Sequence, residues 1–485
     1  MPTDLQEALT AVGSAALIQK QIDPVLIEYQ RRYAPFVRAL PTQKWGSNVY
    51  YFNHRDSLPT GGFVTDGGAR PVTTSVYNQS YFQIRQFQTV GAVTGYAQAV
   101  TSDLVGSLRA KEISGAHQGL LWDMETALLW GNATSTVNGV YPQFDGLDTI
   151  VSTFSGTQQN AIDYAGGAFD LGVLDQIIDM VEQNVAMPVE TSDWMFVCSP
   201  TVNSRIAQLL TNQQRYNDKV EIAPGLVVDS YRNVPIIKSS FLAPRTNQMG
   251  TVTFATSATG GNLGAGSYYY QIAPIVSRFG EIQASTVTTV ATVTGSTNTV
   301  TLSFTPYNNG GTPSGVEGNN AQVYKVFRSS TSNSTCTLLG YVDATVGLAS
   351  DGVTPIQTIS IVDDGINLIP KNGTTTPAVA VPYTGTNTGI KPLASGGTLS
   401  ANQTNQGTAG VGQNIYLLSR DSDFIVRPYV RDMQAVDLYP TTASPDALPF
   451  AIVSDTTLAV RGPKYLGRGA NVVVGTASNT PNYTL

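Results

Sequence analysis

The sequence is poor in the residues on which metal sites and many catalytic sites depend. Its 485 residues include two cysteines and two histidines. Cys198 and Cys336 lie far apart along the chain, which fits neither a disulfide framework nor a zinc-ligand pattern, so we expect two buried free thiols. His54 falls in a polar stretch typical of solvated surface, and His117 falls in a helical pattern where packing is the simplest role.

Charge is also scarce. Charged residues make up 13% of the chain, about half the usual share. The 34 acidic residues outnumber the 27 basic ones, and the net charge of −7 argues against a dedicated nucleic-acid-binding protein. No apolar run approaches the roughly 18 residues of a membrane-spanning helix. Residues 1–21 lack the pattern of a signal peptide, so we expect synthesis in a cytoplasm and no membrane partner.

The chain shows no constellation for chemistry. It has no Gly-x-Ser-x-Gly elbow and no Walker loop. The glycine-rich residues 407–412 are typical of a linker. Asp363 and Asp364 are candidate calcium ligands, but two aspartates before a glycine more often form a turn. We therefore predict no catalytic, cofactor-binding or metal-binding residues, no cofactor, and a protein that is not an enzyme.

What the sequence does contain is organised around residues 102–131, which predict one long helix. Ser102 and Asp103 favour its start, and Gly131 with Asn132 favours its end. Before it, residues 44–100 alternate β-branched, aromatic and polar side chains around a glycine-rich centre, which predicts a long hairpin with a loose tip. A lone two-stranded ribbon is marginal in water, so we expect another subunit to support it. Residues 1–41 predict a broken helix that forms an arm.

The later chain changes character twice. Residues 133–170 predict a loop, 171–187 a helix, 194–198 a buried strand, and a further helix starts at Pro200. Residues 245–410 are rich in Thr, Ser, Gly and Asn and carry alternating strands at the spacing of a sandwich, with a low-complexity linker over 374–413. Residues 414–475 return to the earlier composition. This order indicates a domain inserted into a loop.

The order of these parts resembles the major capsid proteins of tailed bacteriophages, which have the Hong Kong 97-type fold. The hairpin running into the long helix resembles the E-loop and spine helix of that family. The resemblance is also carried by DWMFVCSPTVNSRIAQLL (193–210), by Asn233 to Ile237, and by LAVRGPKYLGRGANVVV (458–474) with Arg461 and Pro463. GSYYYQIAPIVSRFGE and VYKVFRSS look like strands of immunoglobulin or fibronectin-type domains.

The resemblance implies an α+β fold with an N-terminal arm, E-loop hairpin, spine helix, and P and A domains, plus an inserted all-β immunoglobulin-like sandwich. The implied boundaries are 1–44 for the arm, 45–100 for the hairpin, 101–244 for the spine helix and first part of the P and A domains, 245–385 for the sandwich, 386–413 for a linker, and 414–485 for the remainder of the A and P domains.

The implied function is that of a major capsid protein of a tailed double-stranded DNA phage. Copies would form hexamers and pentamers of an icosahedral shell, with the sandwich on its outer surface and weak DNA contact on its inner face. A separate scaffolding protein, a portal and decoration proteins are the implied partners, and the virion is the implied location, after the host cytoplasm before lysis. No lysine lies between Lys44 and Lys111, so we expect no isopeptide cross-link from the hairpin.

Three other interpretations stay open from the residues. A tail tube or fibre protein would lack the unit of hairpin and long helix. An encapsulin-like compartment shell would rarely carry such an insertion. An enzyme with an accessory sandwich would need paired carboxylates across a cleft, and the sequence offers no plausible pair.

Overall fold

The structure is a computed structural model. It describes residues 34–69, 73–105, 107–133, 136–137, 141–158, 160–164, 166–189, 193–212, 219–223, 226–242, 249–276, 280–307, 321–330, 336–343, 358–365, 368–371, 412–440 and 446–474. Residues 1–33 of the predicted arm (1–44) and most of the predicted linker lie outside these residues. The helices are α1 (Pro35–Ala39), α2 (Gly95–Val105), α3 (Leu108–Trp130), α4 (Leu147–Gln158), α5 (Leu171–Val185) and α6 (Pro200–Asn212).

The strands are numbered along the chain. Those before the predicted insertion are β1 (Thr42–Lys44), β2 (Val49–Ser57), β3 (Val76–Gln83), β4 (Arg85–Thr94), β5 (Thr136–Val137), β6 (Tyr141–Pro142), β7 (Ala161–Asp163), β8 (Trp194–Cys198), β9 (Lys219–Ala223), β10 (Leu226–Tyr231) and β11 (Val234–Lys238). Those within it are β12 (Thr253–Ser257), β13 (Gly266–Val276), β14 (Gly280–Glu281), β15 (Ala291–Val293), β16 (Thr299–Phe304), β17 (Ala321–Ser329), β18 (Thr337–Asp343), β19 (Ile359–Asp363) and β20 (Leu368–Lys371). Those after it are β21 (Gln413–Ser419), β22 (Ile425–Asp437), β23 (Ala447–Thr456), β24 (Ala459–Val460) and β25 (Leu466–Val472).

The chain divides into two compact units. Within the described residues, unit 1 comprises parts of Thr89–Gln118 and Ala435–Ile452. Unit 2 comprises Arg32–Gln88, Gly119–Gln434 and Val453–Leu485. Helix α3 begins in unit 1 and ends in unit 2. None of the helices in the described residues is long and apolar enough to cross a membrane.

In unit 1, the end of β4 leads directly into α2. Asp446 caps the start of that helix, because its carboxylate accepts a hydrogen bond from the Tyr96 N–H at 3.0 Å and its carbonyl accepts one from the Gly95 N–H at 2.8 Å. Gly91 in β4 has no side chain where the Phe450 ring lies; a Cβ there would come within 2.6 Å of that ring. These close contacts join β4, α2 and β23 within the unit.

The prediction of one helix over residues 102–131 is wrong. The structure has two helices, the first of which begins at Gly95, and the second of which begins at Leu108. Ser107 ends the continuity because its hydroxyl accepts a hydrogen bond from the Ala110 N–H at 3.2 Å, as an N-cap does. The side chain of Gln98 makes a second capping contact, because its oxygen accepts a hydrogen bond from the Arg109 N–H at 3.0 Å. These capping side chains compete with the backbone i→i−4 hydrogen bonds that would continue a single helix through this point.

In unit 2, the chain leaves a seven-stranded sheet and later returns to it. Its order is β7-β25-β21-β8-β11-β10-β9. The chain leaves this sheet at Lys238 and returns to it at Gln413, where β21 pairs antiparallel with β8. Helices α5 and α6 bury their apolar faces against it in one core cluster. The β10–β11 hairpin turns through Arg232 and Asn233, both with positive φ, as a type I′ turn requires.

The prediction of a loop over residues 133–170 is also wrong in part, because α4 occupies Leu147–Gln158. The sequence LDTIVSTFSGTQ contains few strong helix formers. Leu147, Ile150 and Val151 are nevertheless buried in the main core of unit 2. Tertiary packing therefore overrides the weak local propensity.

The residues between Lys238 and Gln413 contain two antiparallel sheets, β12-β16-β19-β20 and β14-β13-β17-β18, with β15 added to β13. They share an apolar core that includes Tyr270, Ile272 and Leu302. The alternate side chains of β13 and β17, such as Ile275 and Phe327, instead join the main core of unit 2. The β13–β17 sheet is therefore buried on both faces.

Candidate assembly surfaces

The hairpin of β2 and β3 belongs to unit 2 and is partly buried near its root but exposed over its tip. The two strands pair antiparallel from Val49↔Gln83 to Ser57↔Val76, and the sheet they form contains no further strand. Every described residue from Ser57 to Thr74 is exposed. A two-stranded ribbon of this kind is marginally stable in water unless another surface covers it.

Exposed apolar side chains concentrate in the hairpin and in unit 1. Among the described residues, 16 large apolar side chains are well exposed, seven in the hairpin and seven in unit 1. Solvated apolar groups clustered in this way mark interaction surfaces. Those of the hairpin are Tyr51, Leu58, Phe63, Val64, Val76, Tyr77 and Tyr81, and those of unit 1 are Val90, Tyr96, Val100, Val436, Leu438, Tyr439 and Leu448.

The root of the hairpin, in contrast, is firmly held. Tyr50 is 2% exposed and packs with Val426 and Ala459. Its hydroxyl donates to the Gln43 side-chain oxygen at 3.1 Å and accepts a short hydrogen bond from Arg461. The Arg461 guanidinium also lies 5.3 Å from the Tyr50 ring centre, within cation–π range. The hairpin is thus anchored at one end and uncovered at the other.

An open groove of about 680 Å³ lies beside this root. Aromatic side chains and two arginines form much of its wall, and the nearby Phe424 and Tyr465 rings stack with centres 3.5 Å apart. Its lining residues are Gln43, Trp45, Tyr50, Tyr51, Phe52, Asn53, His54, Arg55, Asp423, Phe424, Arg461, Gly462 and Tyr465.

A buried carboxylate on α3 holds the start of α1, which lies within the predicted arm over residues 1–44. Glu125 accepts hydrogen bonds from the Phe36 and Val37 N–H groups at 3.0 and 3.2 Å and from the Ser239 hydroxyl at 2.7 Å. Burial raises the pKa of Glu125 to about 7, although these three hydrogen bonds act in the opposite direction. The Glu125 carboxylate, which holds the start of α1, therefore gains or loses its proton near neutral pH.

Asp145 lies just beyond the end of α3. Its carboxylate accepts a hydrogen bond from the Ala133 N–H at 2.8 Å. Burial raises the pKa of Asp145 to about 6, partly offset by that hydrogen bond and by the positive charge of Arg85 at the start of β4. Sequence patterns gave no signal for either carboxylate, because both face residues that are distant along the chain.

A buried cluster of charges joins the β13–β17 sheet to the rest of unit 2. Lys325 Nζ lies 2.5 Å from a carboxylate oxygen of Asp148 and 2.6 Å from one of Glu281. Arg468 Nη1 lies 3.0 Å from the other oxygen of Asp148, which also accepts from the Tyr416 hydroxyl at 3.0 Å. Burial alone raises the pKa of Asp148, but Lys325 and Arg468 overcome this and hold it well below its usual range. The two positive and two negative charges balance, so removing any one of them leaves a buried charge without its partner.

The residues considered for chemistry are placed in structural roles. Asp363 is buried in an ion pair with Arg328 at 2.6 Å and accepts from the Tyr270 hydroxyl at 2.8 Å. Both cysteines are free and buried, as predicted. Within the described residues, no group of His, Cys, Asp and Glu side chains could hold a metal ion.

The two histidines lie on different secondary-structure elements. His54 lies on β2 and lines the groove beside the hairpin root. The prediction that His117 packs against a neighbouring part of the chain is wrong, because it is exposed on α3.

Comparison with known proteins assigns the family. A family model described as SU10 major capsid protein matches residues 8–257, which is 250 of the 485 residues. Comparison with curated proteins finds no match.

Distant similarity to solved structures extends over nearly the whole chain. The holo-SrpI encapsulin complex from Synechococcus elongatus PCC 7942 is 10% identical, with 99% of this chain and 100% of that chain covered and a TM-score of 0.44. A structure from Mycobacterium phage Bobi is 9% identical, with coverage of 96% and 98% and a TM-score of 0.44. The capsid of a native GTA particle is 7% identical, with coverage of 96% and 99% and a TM-score of 0.42.

At identities of 10% or less, these structural likenesses do not decide the assignment, and the family model does. Its match begins before α1, includes the hairpin and α3, and ends at β12, where the two-sheet region begins. Because it covers more than half of the sequence, the chain belongs to the SU10 major capsid protein family.

Proposed function

We propose that copies of this chain assemble as hexamers and pentamers into the icosahedral shell of a tailed phage that encloses double-stranded DNA. The observation that carries the proposal is the hairpin, whose seven exposed apolar side chains have nothing to cover them within the described residues. Burying one such side chain at a contact is worth about 1.5–3 kcal/mol. Repetition of that contact at every subunit makes assembly favourable.

The exposed apolar side chains of unit 1 support a second contact between copies. Two contacts on different parts of one subunit are what a closed shell needs, because each copy must meet several neighbours. A separate scaffolding protein and a portal are the further partners that this function requires. The low overall charge and net charge of −7 fit weak contact with packaged DNA.

We also propose that residues 245–385 form an immunoglobulin-like sandwich on the outer surface of the shell. Two antiparallel sheets with a shared apolar core support the sandwich. The return of the chain to the seven-stranded sheet at β21 supports its status as an insertion.

Electron microscopy of the purified protein tests the assembly. Closed shells are expected, whereas tubes, fibres or only monomers would contradict the proposal. Phe63→Ser sharpens the test: the ring is fully exposed, so the variant should unfold at the same temperature as the wild type yet give fewer shells. Val290→Ser, at an exposed valine outside the hairpin and unit 1, is the matched control and should assemble normally.

A further inference from the structure

Three side chains with the groups needed to form an amide bond meet inside unit 2. The Nζ of Lys325 on β17 lies 2.5 Å from Oδ2 of Asp148 on α4, so it is at most one C–O bond farther from the carboxyl carbon. The same Nζ lies 2.6 Å from Oε2 of Glu281 on β14. The side chains of all three are 5% exposed or less. An amine, a carboxyl group and a second carboxylate are thus held together away from bulk water.

Aromatic rings lie around the amine. The centre of the Trp130 ring is 5.4 Å from Lys325 Nζ, and the centre of the Tyr341 ring is 5.9 Å from it. Taking two charges out of water is costly even when they are paired. Joining Lys325 to Asp148 as an amide removes both charges from this interior, and the enclosure keeps out the water that would reverse the reaction.

The other oxygen of Asp148 faces hydrogen-bond donors. Arg468 Nη1 and the Tyr416 hydroxyl each lie 3.0 Å from Oδ1, and the Asn414 amide donates to it at 3.2 Å. Although burial raises the pKa of Asp148, Lys325 and Arg468 overcome this and keep the resting carboxylate ionised. When an amine adds to the carboxyl carbon, negative charge develops on this same oxygen, and the three donors are placed to hold it.

We propose that Lys325 and Asp148 join in an intramolecular isopeptide bond, with Glu281 carrying protons between them. Glu281 takes a proton from Nζ and gives it to Oδ2, which leaves a neutral amine beside a neutral acid. The Nζ lone pair then adds to the carboxyl carbon while Oδ1 bears the negative charge. Glu281 passes a second proton from Nζ to Oδ2, the C–Oδ2 bond breaks, and that oxygen leaves as water. One C–N bond forms, one C–O bond breaks, and nothing is oxidised or reduced.

The product keeps the buried charges in balance. Before the reaction, Lys325 and Arg468 offset Asp148 and Glu281. After it, the amide is neutral and Arg468 offsets Glu281. Until the bond forms, the ion-paired cluster is the state of the folded subunit.

The bond would connect β17 to α4 across 177 positions of sequence. A covalent link that closes so long a loop restricts the unfolded chain and so favours the folded one. It would also fix the proposed sandwich to the rest of unit 2. The bond lies within one chain and is separate from the hairpin, so it goes beyond the proposed assembly and does not depend on it.

Mass spectrometry of the purified full chain tests the proposal. The wild type should be lighter than its sequence by one water molecule, and digestion after denaturation should give a branched peptide that contains both Lys325 and Asp148. Lys325→Met should lose no water. Glu281→Gln keeps both bonding groups but lacks the proton carrier, so its bond should form about a hundred-fold more slowly. Lys238→Met is the matched control: it removes a lysine paired with Asp229 at 3.5 Å but 46% exposed, and it should keep the bond.

A wild-type mass equal to that of the sequence would overturn the inference, whether or not the variants fold. A loss of water that maps to peptides without Lys325 and Asp148 would overturn it as well. A bond that forms at the wild-type rate in Glu281→Gln would contradict the proton transfer assigned to Glu281. Electron microscopy of particles tests the assembly separately, so failure of one proposal does not imply failure of the other.

Discussion

Lys325→Met should destabilise unit 2 strongly, because it removes one cation from a balanced buried cluster. Lys325 neutralises Asp148 and Glu281 at 2.5 and 2.6 Å, with the side chains of all three 5% exposed or less. The variant leaves two buried carboxylates and Arg468 as the remaining cation of the cluster. Breaking a buried ion pair by removing one partner costs about 3–5 kcal/mol. We expect a loss of that size in the free energy of unfolding at neutral pH.

The pH dependence of this loss has a definite sign. The folded-state pKa of Asp148 lies below its usual value, so its paired form stabilises the protein above that usual value and ceases to do so as pH falls through the folded-state pKa. In Lys325→Met, Asp148 loses one of the two cations that lower its pKa, so it accepts a proton at a higher pH than in the wild type. The difference in unfolding free energy between the variant and the wild type should therefore shrink as the pH is lowered.

Denaturant unfolding followed by tryptophan fluorescence measures the effect, because the Trp130 ring lies 5.4 Å from Lys325 Nζ and reports on the cluster directly. Lys238→Met is the matched control. Lys238 makes a 3.5 Å ion pair with Asp229, but it is 46% exposed, so its loss should cost no more than about 1 kcal/mol. The double variant Lys325→Met with Glu281→Gln restores the balance of charge and should recover part of the lost stability. Equal stabilities for Lys325→Met and Lys238→Met would refute the reasoning.

Two further predictions follow from buried groups of unit 2. Because burial raises the pKa of Glu125 from 4.5 to about 7, the folded state holds a proton that the unfolded chain releases, and the free energy of unfolding should fall by about 3 kcal/mol between about pH 5 and pH 8 through this residue. Glu125→Gln should flatten that dependence in urea unfolding at the two pH values; an unchanged slope would contradict the assignment. Burial raises the pKa of both Cys198 and Cys336 to about 12, so a thiol reagent should label neither in the native protein and both after unfolding; rapid native labelling would show that these sites open.

The local structure of unit 2 was predictable where the signal lies in neighbouring residues. The buried strand β8, the proline that opens α6, and the turn at Arg232 and Asn233 all follow from short patterns. The order of hairpin, helix and α+β core carried the resemblance to phage capsid proteins, which the family match confirms. The strand, the proline and the turn depend on residues that are close together in the sequence, whereas the resemblance depends on the order of elements along the chain.

The errors arise where long-range contacts decide. Helix α4 forms from weak helix formers because Leu147 and Ile150 are buried, and no periodicity reveals that burial in advance. The gap between α2 and α3 is a different case, because the Ser107 cap is a local contact that the long apolar pattern concealed. Lys325 meets Asp148 across 177 residues of sequence. No composition argument connects such positions.

The hairpin tip and the groove beside the hairpin root also differ in how far the sequence predicts them. The exposed tip was foreseeable, because glycines and isolated apolar residues between two alternating strands cannot form a core of their own. The groove was not, because Asp423, Phe424 and Arg461 reach the hairpin root from more than 360 positions away in the sequence. A single sequence can indicate which segment lacks packing partners of its own. It does not show which distant residues come together to form a groove.

The distribution of polar and apolar groups separates folding of the subunit from assembly. Unit 2 places its balanced charges inside, where Asp148, Lys325 and Arg468 join the β13–β17 sheet to the main core. Such a core is complete in one copy. The hairpin does the opposite, because it exposes Phe63 and Tyr77 while Tyr50 fixes its root. In the proposed assembly, the subunit folds first with the apolar ribbon uncovered, and burying that ribbon against a second copy then releases free energy.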